Sequence, residues 1–126
     1  MPHKPEGYPS LSPYLVLSDA EAFIDFVTST FGGATLARHE REDGSIQHAE
    51  IRIDDSVVMF GQTVDGWPPV PTHLHVYVPD VDATYAKALA NGGESVQPPM
   101  QRDDPDRRSG VKDPIGNTWW ISTRVG

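Results

Sequence analysis

The sequence predicts an α+β fold in which two βαβββ modules form a cupped mixed sheet around a cleft, with the helices on the outside. Three observations predict it. A short apolar strand runs straight into a helix start twice, at Leu15-Val16-Leu17-Ser18-Asp19 and at Leu74-His75-Val76-Tyr77-Val78-Pro79-Asp80. Asp19 and Asp80, Gly32 and Gly93, Ser12 and His73, and Met59 and Trp120 each stand 61 positions apart, the mark of one unit written twice. Each helical stretch is followed by short alternating segments cut by tight turns, which is a strand pattern.

Met1 to Pro9 is polar and holds three prolines, so the sequence predicts a loosely held arm. Leu11 to Leu17 reads as the first strand, with Ser12, Tyr14 and Val16 on one face, and Pro13 fits an edge or the start of a strand better than a sheet centre. Ser18 followed by Glu21 matches a capping box, and Phe23, Phe26, Val27 and Thr30 form the apolar stripe of a helix from about Asp19 to Phe31. Gly32-Gly33 stops it. Ala34 to Arg41 and Ile46 to Ile53 read as strands joined by a two-residue hairpin at Asp43-Gly44, and Asp54-Asp55 turns into a strand from Val57 to Gly61. Gln62 to Pro71, with three prolines, a glycine and Trp67, reads as a linker. It divides one 126-residue domain into a first module of about residues 8–61 and a second of about 72–123.

In the second module, Thr72 to Val78 is the strand, Asp80 the helix N-cap, and Val81, Tyr85, Ala88 and Leu89 the apolar stripe, ended by Asn91-Gly92-Gly93. Ser95 to Gln97 reads as a short strand, Pro98 to Arg107 as a polar loop, and Gly110 to Asp113 and Thr118 to Thr123 as the closing strands. Asp113 to Asn117 between them reads as a turn.

A formal charge of −8 argues against nucleic acid or an anionic membrane as partner and suits a cationic small molecule. Without cysteine there are neither disulfides nor thiolate metal sites. No run reaches the 18 or so apolar residues of a membrane span, and the N-terminus lacks a signal-peptide core, so the sequence predicts a cytoplasmic protein.

If each helix buries its stripe on one face of its strands, the opposite faces are left to line a cleft. Alternation then assigns Ser12, Tyr14, His48, Glu50, Met59, His73, His75, Tyr77, Thr118 and Trp120 to that cleft, a set rich in rings and imidazoles. His48 and Glu50, and His73 and His75, each share a face two residues apart. Neutral imidazole and carboxylate bind zinc or iron, and a metal-free His-Glu pair can move protons if burial raises the Glu50 pKa. Pairing of Glu50 with Arg52, Arg108 or Lys112 is the structural alternative. Trp119, by alternation, faces the helices as core, while Tyr14, Tyr77 and Trp120 offer flat surfaces to planar or cationic ligands.

These pieces resemble the vicinal oxygen chelate superfamily, which contains glyoxalases, bleomycin-resistance proteins and extradiol dioxygenases. The matching stretches are His48-Ala49-Glu50-Ile51-Arg52-Ile53-Asp54-Asp55, His73-Leu74-His75-Val76-Tyr77-Val78-Pro79-Asp80-Val81-Asp82 and Asp113-Pro114-Ile115-Gly116-Asn117, together with the strand and helix at Asp19. The resemblance runs from about Tyr8 to Thr123 and implies four metal-ligand places, which fall here on Ser12, Met59, His73 and Trp120. Only His73 is an ordinary ligand, since a thioether and an indole are poor partners for hard divalent ions. The expectation is therefore no cofactor, with a divalent metal (Zn, Fe, Ni or Mn) in a rebuilt site as the alternative.

Two functions follow as expectations. One is a homodimer that binds a small aromatic or cationic molecule, such as an antibiotic or metabolite, as the bleomycin-resistance branch does. The other is a glyoxalase-like or dioxygenase-like enzyme in which His48, Glu50 and His73 carry the chemistry.

Overall fold

A computed structural model describes residues 3–126. Strand β1 (Tyr14–Leu17) leads into helix α1 (Ala20–Phe31), followed by β2 (Ala34–Glu40), β3 (Ile46–Ile53) and β4 (Ser56–Gln62). The order repeats in β5 (His73–Tyr77), α2 (Val81–Ala90), β6 (Glu94–Gln101), β7 (Asp106–Lys112) and β8 (Thr118–Arg124). They form two four-stranded mixed sheets, β1-β4-β3-β2 and β5-β8-β7-β6, the α+β architecture that the sequence predicts. The internal repeat extends to the strand register. Tyr14 lies opposite Met59 in the parallel β1–β4 pair, and His75 lies opposite Trp120 in the parallel β5–β8 pair.

Both helices start where the sequence places them. Asp19 and Asp80, in extended conformation, cap them by accepting from the amides of Ala22 (3.0 Å) and Ala83 (3.2 Å). The capping box expected at Ser18 is not formed, because Asp19 one residue later takes the N-cap role. The glycine match at 61 also shifts by one. Gly32 and Gly92 carry the positive φ angles of +69° and +93°, and each is followed by a glycine pressed against its module. A Cβ on Gly33 would meet Val27 at 2.8 Å and one on Gly93 would meet Val111 at 2.5 Å, so close packing of helix and strand requires both.

Strand boundaries depart from the sequence reading where proline or a bulge intervenes. β1 begins only at Tyr14, since Pro13 has no amide to donate, and Leu11 stays exposed. The β2–β3 connection is longer than a two-residue hairpin and is closed by Arg41 N–H donating to Ser45 O at 2.8 Å. β6 is eight residues long despite Pro98 and Pro99. It is an edge strand whose register slips between Ser95 and Gln97 and between Gln97 and Met100, which spares the missing donors. β7 accordingly starts at Asp106, inside the stretch expected to be a loop.

The core is one apolar cluster joining the helix-facing sides of both sheets. Phe23 of α1 packs on Phe60 of β4 (ring centroids 4.9 Å apart) and on Trp119 of β8 (6.2 Å), while Phe31 packs on Trp119 at 4.7 Å. Trp119 is thus core, as alternation predicts, and it fastens the second sheet to the first helix. On α2 the stripe is narrower than expected. Val81 and Ala88 are buried, Tyr85 is half-buried and Leu89 is exposed. The linker runs beside β1, where Val70 N–H donates to Val16 O at 3.1 Å. Among the described residues, no helix is long and apolar enough to cross a membrane.

Candidate functional site

The predicted site residues fall into two groups, one on the uncovered face of each sheet. Tyr14, His48, Glu50 and Met59 lie on the first sheet, where Glu50 is opposite Met59 and Met59 opposite Tyr14. His73, His75, Tyr77, Thr118 and Trp120 lie on the second, where His73 is opposite Thr118. Among the described residues, no hydrogen bond or ring contact joins the two groups. Ser12, just before β1, has a buried hydroxyl without a hydrogen-bond partner.

On the first sheet, Glu50 is the hub. His48 Nε2 lies 2.7 Å from Glu50 Oε2, and the Tyr8 hydroxyl donates to Oε1. The hydrogen bonds from His48 and then Tyr8 outweigh burial and hold the Glu50 carboxyl below its ordinary pKa, the reverse of the expected rise. An ionised carboxylate only accepts, so His48 Nε2 carries a proton. The basic partners expected for Glu50 are engaged elsewhere. Arg52 donates to Gly7 O at 3.1 Å and lies 6.0 Å from the centre of the Tyr8 ring, and Arg108 belongs to the second sheet. The N-terminal arm, expected to be loose, is therefore fastened across this face at Gly7 and Tyr8. Tyr14 leans over Gly61, where an added Cβ would stand 3.1 Å from its hydroxyl, and stacks on His48 at 5.6 Å. Trp67 of the linker packs on the far side of this cluster, 5.9 Å from Tyr14.

The lowered Glu50 pKa has a defined pH signature. A carboxyl held below its unfolded value of about 4.5 stabilises the fold fully above that pH and loses the contribution as pH falls through the folded value. Glu50→Gln is therefore expected to lose less thermal stability than wild type between pH 6 and pH 3.5. Melting curves across that range that remain parallel for the two proteins would refute the assignment.

On the second sheet, Trp120 and His73 form a flat panel. Their rings are 7° from parallel with centroids 6.2 Å apart, and the indole N–H donates to His73 Nδ1 at 3.1 Å. Gly110 lies beneath the indole, where a Cβ would meet Cζ3 at 2.7 Å, so the absent side chain is what lets the ring lie against the sheet. Next to the panel, His75 meets Tyr77 edge-on at 4.8 Å and contacts Ser122 Oγ at 3.1 Å. Burial and then the Arg108 charge hold the His75 imidazole below its ordinary pKa, favouring the neutral ring. Tyr77 O–H donates to Asp106 at 2.7 Å, and Arg108 spans Asp104, Asp106 and Ser122.

Sequence reasoning missed Tyr8, Trp67, Asp106 and Arg108. Trp67, a tryptophan in a proline-rich linker, carried the only signal. Asp106 and Arg108 were hidden because β7 was expected to start later, and nothing local marks Tyr8.

The four metal-ligand places implied by the family are divided between the two sheets in this chain. His73 Nδ1 accepts from the Trp120 indole on the second sheet, Met59 lies on the first sheet, and Ser12 stands just before β1. The rebuilt set of His48, Glu50, His73 and His75 is likewise divided between sheets. Among the described residues, no three His, Cys, Asp or Glu side chains are grouped to hold a metal.

These features define a paired βαβββ protein with an aromatic and imidazole-bearing face on each sheet. The chain belongs to the glyoxalase/bleomycin resistance protein/dioxygenase superfamily, whose family model matches residues 11–121. It is 36% identical to an uncharacterised protein of Mycobacterium bovis, over 93% of this chain and 84% of that one. Among solved structures it is similar in fold to TioX from Micromonospora sp. ML1, with a TM-score of 0.78, 24% identity, and coverage of 93% of this chain and 99% of that one. A glyoxalase I mutant from Zea mays superposes with a TM-score of 0.73 at 15% identity, over 92% of this chain and 44% of that chain.

Proposed function

We propose that the protein is a homodimeric binder of a small planar aromatic or cationic molecule, which it sequesters without a bound metal. The observation that carries this reading is the Trp120–His73 panel. It occupies two of the four places where the family's metal enzymes hold ligands, and it offers a flat ring surface instead of open lone pairs. The surplus negative charge favours a cationic ring system. A planar guest needs two walls. In one chain Tyr77 is 58% exposed and Tyr14 43% exposed, so both faces lack a cover that a second copy would supply.

Planar cationic dyes are expected to raise the melting temperature of the wild-type protein, and Trp120→Ala is expected to abolish that shift. Gly110→Ala leaves the indole in the chain but pushes a methyl group into its seat, and a reduction in dye affinity of about tenfold or more is expected. An undiminished shift in both variants would overturn the stacking reading. Stoichiometric zinc, iron, nickel or manganese that disappears in His73→Ala would overturn the metal-free part. A monomeric mass in sedimentation at micromolar concentration would overturn the dimer.

A second reading, an enzyme of glyoxalase-like or dioxygenase-like type, is favoured by one observation. Glu50 orients His48 as a carboxylate orients a general base, leaving Nδ1 of the ring for a substrate proton. Turnover of a dicarbonyl or catechol substrate that is lost in His48→Gln would establish it in place of sequestration.

A further inference from the structure

We infer that His73 and His75 select the ligand of the second sheet. Each imidazole is locked with its proton on the nitrogen left outside the protein's own hydrogen bonds, so the pair offers N–H donors to a carbonyl oxygen on the planar ring that stacks on Trp120. This rests on the stacking reading above and narrows it to planar aromatic molecules that carry a carbonyl acceptor.

At His73 the tautomer follows from what an indole can do. An indole N–H only donates, and that of Trp120 lies 3.1 Å from His73 Nδ1. Nδ1 therefore holds a lone pair, and the ring proton of neutral His73 sits on Nε2. At His75 the tautomer follows from a buried hydroxyl. Ser122 is 0% exposed, and its Oγ lies 3.1 Å from Arg108 Nε and 3.1 Å from His75 Nε2. A guanidinium has no lone pair to offer, so Arg108 donates to the Ser122 oxygen. The Ser122 proton then has one acceptor among the described residues, His75 Nε2, which leaves the His75 proton on Nδ1. Arg108 is itself held in place, since its terminal nitrogens donate to Asp104 and Asp106, each at 3.1 Å. Protonating His75 at Nε2 would strand the buried hydroxyl and set a second positive charge near Arg108. Burial and then the Arg108 charge accordingly hold the imidazole below its ordinary pKa.

Both imidazoles are exposed and share one face. His75 stands opposite Trp120 in the strand register, and His73 is hydrogen-bonded to it. The lone pairs of both rings are thus spent inside the protein, and one N–H from each remains without a protein partner among the described residues. A ring laid on the indole with a carbonyl oxygen at its rim gives these donors an acceptor. A hydrocarbon ring of the same outline displaces their water and returns no hydrogen bond, so the site discriminates against it.

The first readout needs no ligand. Long-range proton–nitrogen correlation spectra of the whole chain near neutral pH distinguish protonated from unprotonated ring nitrogens. His73 is expected to carry its proton on Nε2 and His75 on Nδ1. Ser122→Ala removes the hydroxyl and is expected to let the His75 proton move to Nε2, with His73 unchanged. The second readout compares chromone with 4H-chromene, which keeps the bicyclic skeleton but lacks the carbonyl oxygen, by amide chemical-shift titration. Chromone is expected to bind the wild-type protein about fivefold or more tightly than 4H-chromene. That ratio is expected to fall severalfold in Ser122→Ala and in His75→Phe, which keeps a flat ring without the N–H. The opposite tautomers, an unmoved His75 proton in Ser122→Ala, or equal affinities for the two molecules in the wild-type protein would each overturn the donor assignment while leaving the stacking surface intact. Failure of both molecules to bind would instead refute the stacking surface and the ligand class that rests on it.

Discussion

Trp119→Ala is expected to cost about 3–5 kcal/mol of folding free energy, the range for truncating a fully buried large aromatic side chain. Trp119 is 1% exposed and packs against Phe23, Phe26 and Phe31 of α1, although it belongs to β8 of the other module. Its loss leaves a void at the junction between the modules, with Phe23 still attached to Phe60 on one side only. For a domain with a total stability of about 5–15 kcal/mol the change is large, and a fall in melting temperature of roughly 10–20 °C is expected. Urea denaturation measures it. A loss below about 1 kcal/mol would mean that the modules are held together by something other than this aromatic cluster.

Asp113→Ala is expected to be nearly as damaging, at about 2–4 kcal/mol, through hydrogen bonds and not volume. Asp113 is 4% exposed, and its carboxylate accepts from four donors. Oδ1 takes the amides of Ile115 and Asn117, each at 2.9 Å, and Oδ2 takes the Asn117 side-chain amide at 3.2 Å and the Trp119 indole at 2.9 Å. Alanine would leave those donors short of a partner in a buried turn. Asn117 in turn accepts from Thr72 N–H at 3.1 Å, so the turn also holds the residue just before β5, which begins at His73. The stretch from Asp113 to Asn117 is therefore more than the reversal that its sequence suggests. Asp113→Asn, which keeps one acceptor oxygen, is expected to recover part of the loss. If alanine and asparagine unfold at the same denaturant concentration as wild type, the network carries no stability.

The two effects explain how a chemically open face can stand on a rigid support. Residues on one side of β8, such as Trp119 and Ile121, are fixed in the core, while Trp120 between them is delivered to the opposite face. His73 reaches that face because Thr118 N–H donates to Thr72 O at 2.9 Å and locks the parallel register of β5 against β8.

The sequence by itself determined the order of elements, the repeat, both helix starts and the face on which the candidate residues within strands lie. Those features depend on local chemistry: N-cap aspartates, glycine stops and a two-residue strand period that His48 and Glu50, or His73 and His75, cannot evade. Only the tertiary structure decided what the residues do to one another. Glu50 is ionised and not proton-retaining because Tyr8, 42 positions away, and His48 both donate to it. Trp120 lies flat because Gly110, on a different strand, has no side chain to lift it. Such contacts join residues distant along the chain, and their energies depend on distances and burial that no local pattern encodes.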